Sequence, residues 1–84
     1  MIKKEILKKQ IIYRSSHRGT KEMDILLGNF VDRYINELCL SELEDLNNIL
    51  QIEDKILYQW YFKKINNKKI PENKISNILK NFKI

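Results

Sequence analysis

Only three residues of this 84-residue chain, Gly19, Gly28 and Pro71, are strong backbone breakers, and that scarcity excludes most architectures. A β-sandwich or barrel needs a turn every few residues, and turns draw on Gly and Pro. Long stretches without a breaker favour helices instead. The apolar residues agree, because they recur every three to four positions, the spacing that lines one face of a helix. Ile2, Ile6, Leu7 and Ile11 mark a basic helix over about 2–14. Met23, Ile25, Leu26 and Leu27 mark a second from about Lys21, with a break or kink expected at Gly28-Asn29 before Phe30, Val31, Tyr34, Ile35 and Leu38 continue it.

The ends of these elements are also readable. Ser15, Ser16, His17, Arg18 and Gly19 interrupt the first helix, with Gly19 suited to a tight turn at positive φ. Ser41-Glu42-Leu43-Glu44 has the form of a capping box, Ser41 accepting and Glu44 reaching back, ahead of Leu43, Leu46, Ile49 and Leu50. Asp54 suits the cap of a helix in which Ile56, Leu57, Trp60 and Tyr61 share a face, Trp60 being read as core. After the polar Asn66-Asn67-Lys68-Lys69 connector, Pro71 suits the first turn of a last helix carrying Ile75, Ile78, Leu79 and Phe82. The expectation is an all-α fold, a small compact bundle of five to six short helices. It forms a single domain over 1–84, with a basic, Lys/Asn-rich tail over about 63–84.

The net charge of +5 invites a phosphate partner, but its layout does not. Residues 1–21 carry +6, residues 22–54 carry −8 and residues 55–84 carry +7. Ile, Lys and Asn are abundant and Ala is absent, the bias of an AT-rich coding sequence, so much of the lysine excess needs no functional cause. Two basic ends around an acidic middle suit a protein partner at least as well as nucleic acid. No apolar run approaches the roughly 20 residues that span a bilayer, and no apolar segment follows the basic start Met1–Glu5. The expectation is a cytoplasmic monomer with neither membrane nor nucleic acid as partner.

Little in the chain suits catalysis. One Cys and one His cannot build a disulfide or a Cys/His zinc site. His17, in a turn beside Ser15 and Ser16, lacks a readable orienting group, and Cys39 between Leu38 and Leu40 reads as a small buried hydrophobe. Glu42, Glu44 and Asp45 sit where a helix dipole favours acids. No Gly-rich phosphate cradle and no metal signature is present, so no cofactor, no metal and no enzymatic activity are expected.

One segment does not read as packing alone. Arg14-Ser15-Ser16-His17-Arg18-Gly19-Thr20-Lys21-Glu22-Met23-Asp24 gathers Arg18, Glu22 and Asp24 at one bend, with a Gly between the cation and the anions. Arg18 and Glu22 suit a local ion pair, worth a few tenths of a kcal/mol if exposed. Equally, Gly19 suits close approach by another backbone, with Arg18 and Glu22 offering fixed donors and acceptors.

The context favours the second role. Arg18–Asp24, followed by Ile25-Leu26-Leu27-Gly28 and Phe30, resembles the RGxxE-x-D signature of the succinate dehydrogenase FAD assembly factors. Leu46-Asn47-Asn48-Ile49-Leu50, then Asp54, then Leu57-Tyr58-Gln59-Trp60 is similar to that family's LxxLL…D…L-aromatic-x-W stretch. Lys55 stands where the family often has Pro, and His17 where Arg is frequent. The resemblance implies a helical chaperone that binds the flavoprotein subunit of succinate dehydrogenase and promotes covalent attachment of FAD to a histidine of that subunit. It leaves open whether fumarate reductase is also a client. FAD would belong to the client, since no motif of this chain binds it. Arg18, Gly19 and Glu22 would lie on the docking face, with Arg14 and Asp24 at its rim, and Gly19→Arg would abolish binding while leaving the fold largely intact. The alternative reading, a small basic nucleic-acid-binding protein, draws on Lys63, Lys64, Lys68, Lys69 and Lys74.

Overall fold

A computed structural model describes residues 2–83 and contains five helices: α1 (Ile2–Ser16), α2 (Lys21–Tyr34), α3 (Leu40–Leu50), α4 (Asp54–Phe62) and α5 (Lys74–Asn81). No strand occurs among the described residues, so the all-α expectation holds. The side chain of Ile2, counted above in the first apolar stripe, lies outside the described residues.

The stripes read from the sequence converge on one core. Ile11, Met23, Leu27, Phe30, Leu43, Leu46, Ile49 and Ile75 are fully buried, each such aliphatic or aromatic side chain contributing roughly 1.5–3 kcal/mol by leaving water. α1 packs on both α2 and α3, and α3 on α5. Trp60 joins this core, as expected. Around it, polar bonds fix α1 against its neighbours: Lys3 pairs with Glu44 at 3.7 Å and Lys8 donates to Asn36 at 3.3 Å.

Helix ends depart from expectation in five places. α3 starts earlier than the Ser41 box implies, with Cys39 as its N-cap and Glu42 Oε1 accepting from the Cys39 N–H at 2.9 Å. Ser41 is therefore inside the helix, and Cys39 is exposed rather than buried. Glu53 holds the N-cap position of α4 without a side-chain capping bond, and Asp54, the first helical residue, has a tertiary role instead. Pro71 precedes α5, because Asn73 and Ser76 form the cap by exchanging bonds, each N–H donating to the other's side-chain oxygen at 2.9 Å. Gly28-Asn29 does not break α2, which is continuous through both. Gly19 is not at positive φ either; among the described residues the left-handed one is Lys64 (φ 59°), where the chain leaves α4.

The Glu42 cap also ties α3 to α5, since the Lys74 ammonium lies 2.8 Å from its carboxylate. The hydrogen bond from Lys74, and next that from the Cys39 backbone, hold the Glu42 carboxyl at about 2, below its ordinary 4.5. Its folded-state pKa is lowered, so its stabilisation is present above pH 4.5 and lost as pH falls toward 2. The Tm should fall across that acid window, and Glu42→Gln should make the fall shallower, measured by circular dichroism. Lys74 is pushed the opposite way, upward, by the same hydrogen bond.

Candidate functional site

The RGxxE segment forms the α1–α2 corner, and its arginine points inward. Only 8% of the Arg18 side chain is exposed. Nε donates to Asp54 Oδ1 at 2.8 Å, Nη1 to the carbonyls of Arg14 (3.0 Å) and Leu50 (2.7 Å), and Nη2 to that of Ile52 at 3.2 Å. Nη2 also lies 2.5 Å from Asp54 Oδ1. The guanidinium fork thus makes four hydrogen bonds and an ion pair from this one corner. One side chain joins the carbonyl end of α1, the carbonyl end of α3 with the residues after it, and the first residue of α4. The two carbonyl ends are positions where helices leave acceptors unsatisfied and a cation is favoured.

Asp54 completes the clamp from the other side. Its Oδ2 accepts the Gly19 N–H at 2.5 Å, so one carboxylate holds two successive residues of the motif. A Cβ at Gly19 would sit 3.1 Å from that oxygen, which gives a physical reason for glycine that positive φ does not. Gly19→Ala must push Asp54 aside, and should cost about 1 kcal/mol and lower the Tm by roughly 4–8 °C. Gly19→Arg would strain the clamp in the same way as well as block the edge, so the expectation that it spares the fold is revised.

The remaining motif residues divide into two groups. Asp24 Oδ1 accepts the Arg18 N–H at 2.7 Å, while Thr20 caps α2 by accepting from Met23 N at 3.3 Å. Arg14 donates to Asn47 Oδ1 at 2.5 Å, linking α1 to α3. Arg14 and Asp24 each make one such internal bond and stay part-exposed, whereas Arg18 is nearly buried. Gly19 and Glu22 are exposed. No Arg18–Glu22 ion pair forms; Arg18 pairs with Asp54 instead. Glu22 borders an open groove of about 640 Å³, walled also by Thr20, Lys55, Tyr58, Gln59 and Ile65. Ile65 is an exposed apolar residue on its wall.

The clamp residue missing from the motif string is Asp54. The sequence assigns it to a helix cap, although its place in the second resembling block, 36 residues from Arg18, was a usable signal. His17 is the exposed turn residue that was expected. Its ring stacks on Tyr13 with centroids 3.9 Å apart, and its Nδ1 lies 2.7 Å from the Tyr13 carbonyl. Ser16 Oγ is likewise occupied with the Ile12 carbonyl at 3.0 Å. Both side chains serve the end of α1. Among the described residues no group of His, Cys, Asp and Glu is placed to hold a metal ion.

A family model described as "Flavinator of succinate dehydrogenase" matches residues 9–83, which takes in the clamp, the exposed edge and four of the five helices whole. The chain belongs to this family. Similar curated proteins include the FAD assembly factor SdhE of Acetobacter pasteurianus, 36% identical over 73 residues, covering 87% of this chain and 64% of that protein. Succinate dehydrogenase assembly factor 2, mitochondrial, of Dictyostelium discoideum is 38% identical over 76 residues, covering 90% of this chain and 52% of that protein. The chain therefore spans between half and two-thirds of the length of these relatives. No solved structure matches it. No helix among the described residues is long and apolar enough to cross a membrane.

Proposed function

We propose that this flavinator-family chain is an assembly factor that binds the flavoprotein subunit of succinate dehydrogenase and promotes covalent attachment of FAD to a histidine of that subunit. The observation that carries the reading is the match of residues 9–83 to the family together with the geometry of its motif. The Arg18–Asp54 clamp fixes the α1–α2 corner, so Gly19 and Glu22 meet a partner as a pre-formed edge. An edge held in one conformation loses little entropy on binding. The flanking groove offers room for a segment of that partner.

The chain acts on this reading as a binding partner and not as a catalyst. Arg18 and Asp54 spend their bonds on the fold. FAD belongs to the client, and the factor works as a monomer in the cytoplasm. The nucleic-acid reading loses part of its motivation, since Lys74 is engaged by Glu42 and Lys64 lies over the Tyr61 ring.

The test is co-expression with the flavoprotein subunit, scored by in-gel fluorescence of covalently bound flavin. The expected result is strong fluorescence with this chain present and little without it. Equal fluorescence in both would overturn the proposal. The same comparison with a fumarate reductase flavoprotein decides whether it is a second client.

A further inference from the structure

The connection between α1 and α2 is held by two carboxylates from different parts of the chain. Asp24 Oδ1 accepts the Arg18 N–H at 2.7 Å and Asp54 Oδ2 the Gly19 N–H at 2.5 Å, so two successive amides are each tied to an acid. Helix capping does not require the Asp24 bond. The donors that a helix start leaves unpaired belong to its first four residues, here 21–24. Thr20 serves them, with its hydroxyl accepting from the Met23 N–H and its carbonyl from the Asp24 N–H. Asp24 reaches past that cap, six positions back, to an amide that is not among them.

The two bonds also orient the other polar groups of this corner. A trans peptide points its N–H and its C=O in opposite directions, and no cis peptide occurs among the described residues. With the Arg18 and Gly19 amides turned to Asp24 and Asp54, the carbonyls of His17 and Arg18 point away from those acids. No hydrogen bond among the described residues reaches either carbonyl. His17 and Gly19 are exposed. Asp24 is half-buried, on the side of the Arg18 peptide opposite the His17 carbonyl.

We infer that Asp24 is a positioning residue for client binding: it sets the direction of the His17–Arg18 peptide, and so of the edge beside Glu22, without itself touching the flavoprotein. This departs from the rim contact that the sequence resemblance implies for Asp24. It rests on the function proposed above, in which the client meets Gly19 and Glu22. Asp54 ties the next peptide, but Arg18 depends on it as well, so its removal disturbs the whole corner. The one side-chain bond of Asp24 among the described residues is to the Arg18 amide. Without it, one residue of the edge has to be ordered at the moment of binding. Fixing the backbone of one residue is worth about a factor of ten in affinity.

The experiment measures binding of the purified flavoprotein subunit, lacking covalent flavin, to four chains by titration calorimetry: wild type, Asp24→Asn, Asp24→Ala and Asn73→Ala. The temperature is one at which circular dichroism shows all four folded. Asparagine and alanine both remove the charge, but only asparagine keeps an oxygen for the Arg18 N–H. Asn73 caps α5 and makes no bond to the corner. Its replacement should lower the Tm about as much as Asp24→Ala does, by roughly 4–8 °C for the loss of one such bond. Asp24→Ala should bind roughly tenfold more weakly than wild type, and Asp24→Asn should recover to within about threefold. Asn73→Ala should bind as wild type does despite its lower Tm. Wild-type affinity in Asp24→Ala would overturn the inference. Equal losses in Asp24→Asn and Asp24→Ala would also overturn it, by placing the carboxylate itself against the client. So would an equal loss in Asn73→Ala, which would reduce the effect to general stability. A wild type that does not bind would instead strike the proposed function, and this inference with it.

Discussion

Replacing Arg18 with alanine should lower the Tm by about 15–25 °C. The fork satisfies three carbonyls and a carboxylate from within a nearly buried site. Deleting one partner of such a network costs about 3–5 kcal/mol, because the other groups stay desolvated without a donor. We take the lower half of that range, since Asp54 is 21% exposed and keeps the Gly19 N–H. A domain of this size holds about 4–12 kcal/mol in total, so the loss is a large share of it. Arg18→Lys should recover only part, because an ammonium keeps the charge but cannot reach all four acceptors. Arg18→Ala combined with Asp54→Asn should cost less than the two singles added, by about 1–3 kcal/mol, since both remove the same bond. Thermal and urea unfolding by circular dichroism measure all of this. A fall of under about 3 °C for Arg18→Ala would show that the clamp does not hold the corner.

Replacing Glu22 with glutamine should do the reverse: leave the fold and remove the function. Glu22 is exposed and in no ion pair among the described residues, so its change should stay within about 0.5 kcal/mol. If its carboxylate meets the client at the centre of the edge, its loss is that of a binding hot spot, roughly 2 kcal/mol or about thirtyfold in affinity. Co-expressed flavoprotein should then carry much less covalent flavin than with the wild type, at unchanged Tm. The pairing of the two variants matters, because Arg18→Ala loses flavinylation through unfolding and Glu22→Gln through contact. A Glu22→Gln chain with full flavinylation would remove Glu22 from the interface.

The five helices were legible because their apolar spacing is a local property, and residues such as Leu43, Leu46 and Ile49 had one face to bury. The caps were less so. Ser41, Asp54 and Pro71 each suit a helix start chemically, yet the starts fall at Cys39, Glu53 and Asn73. Where a chain enters a helix depends on the tertiary bonds of the entering residues. Asp54 is drawn to Arg18 and Gly19, and Glu42 is held jointly by the Cys39 backbone and Lys74.

The motif string itself was visible, but not its division into an inner and an outer half. Arg18 and Glu22 look alike in sequence, two charged residues at one bend. They part only because Leu50, Ile52 and Asp54, more than 30 positions away, arrive beside Arg18 and not beside Glu22. Gly28 shows the opposite case. The break expected there does not occur, and α2 runs on through Gly28 with open space where a side chain would stand.

The edge centred on Gly19 and Glu22 as the contact with the flavoprotein is tested most directly by cross-saturation NMR on the labelled 84-residue chain bound to the unlabelled subunit. Saturation should be strongest at the amides of residues 19–25 and weak at the buried Arg18 side chain and at α5. Saturation confined to α5 and the basic 63–83 segment, with residues 19–25 untouched, would contradict it.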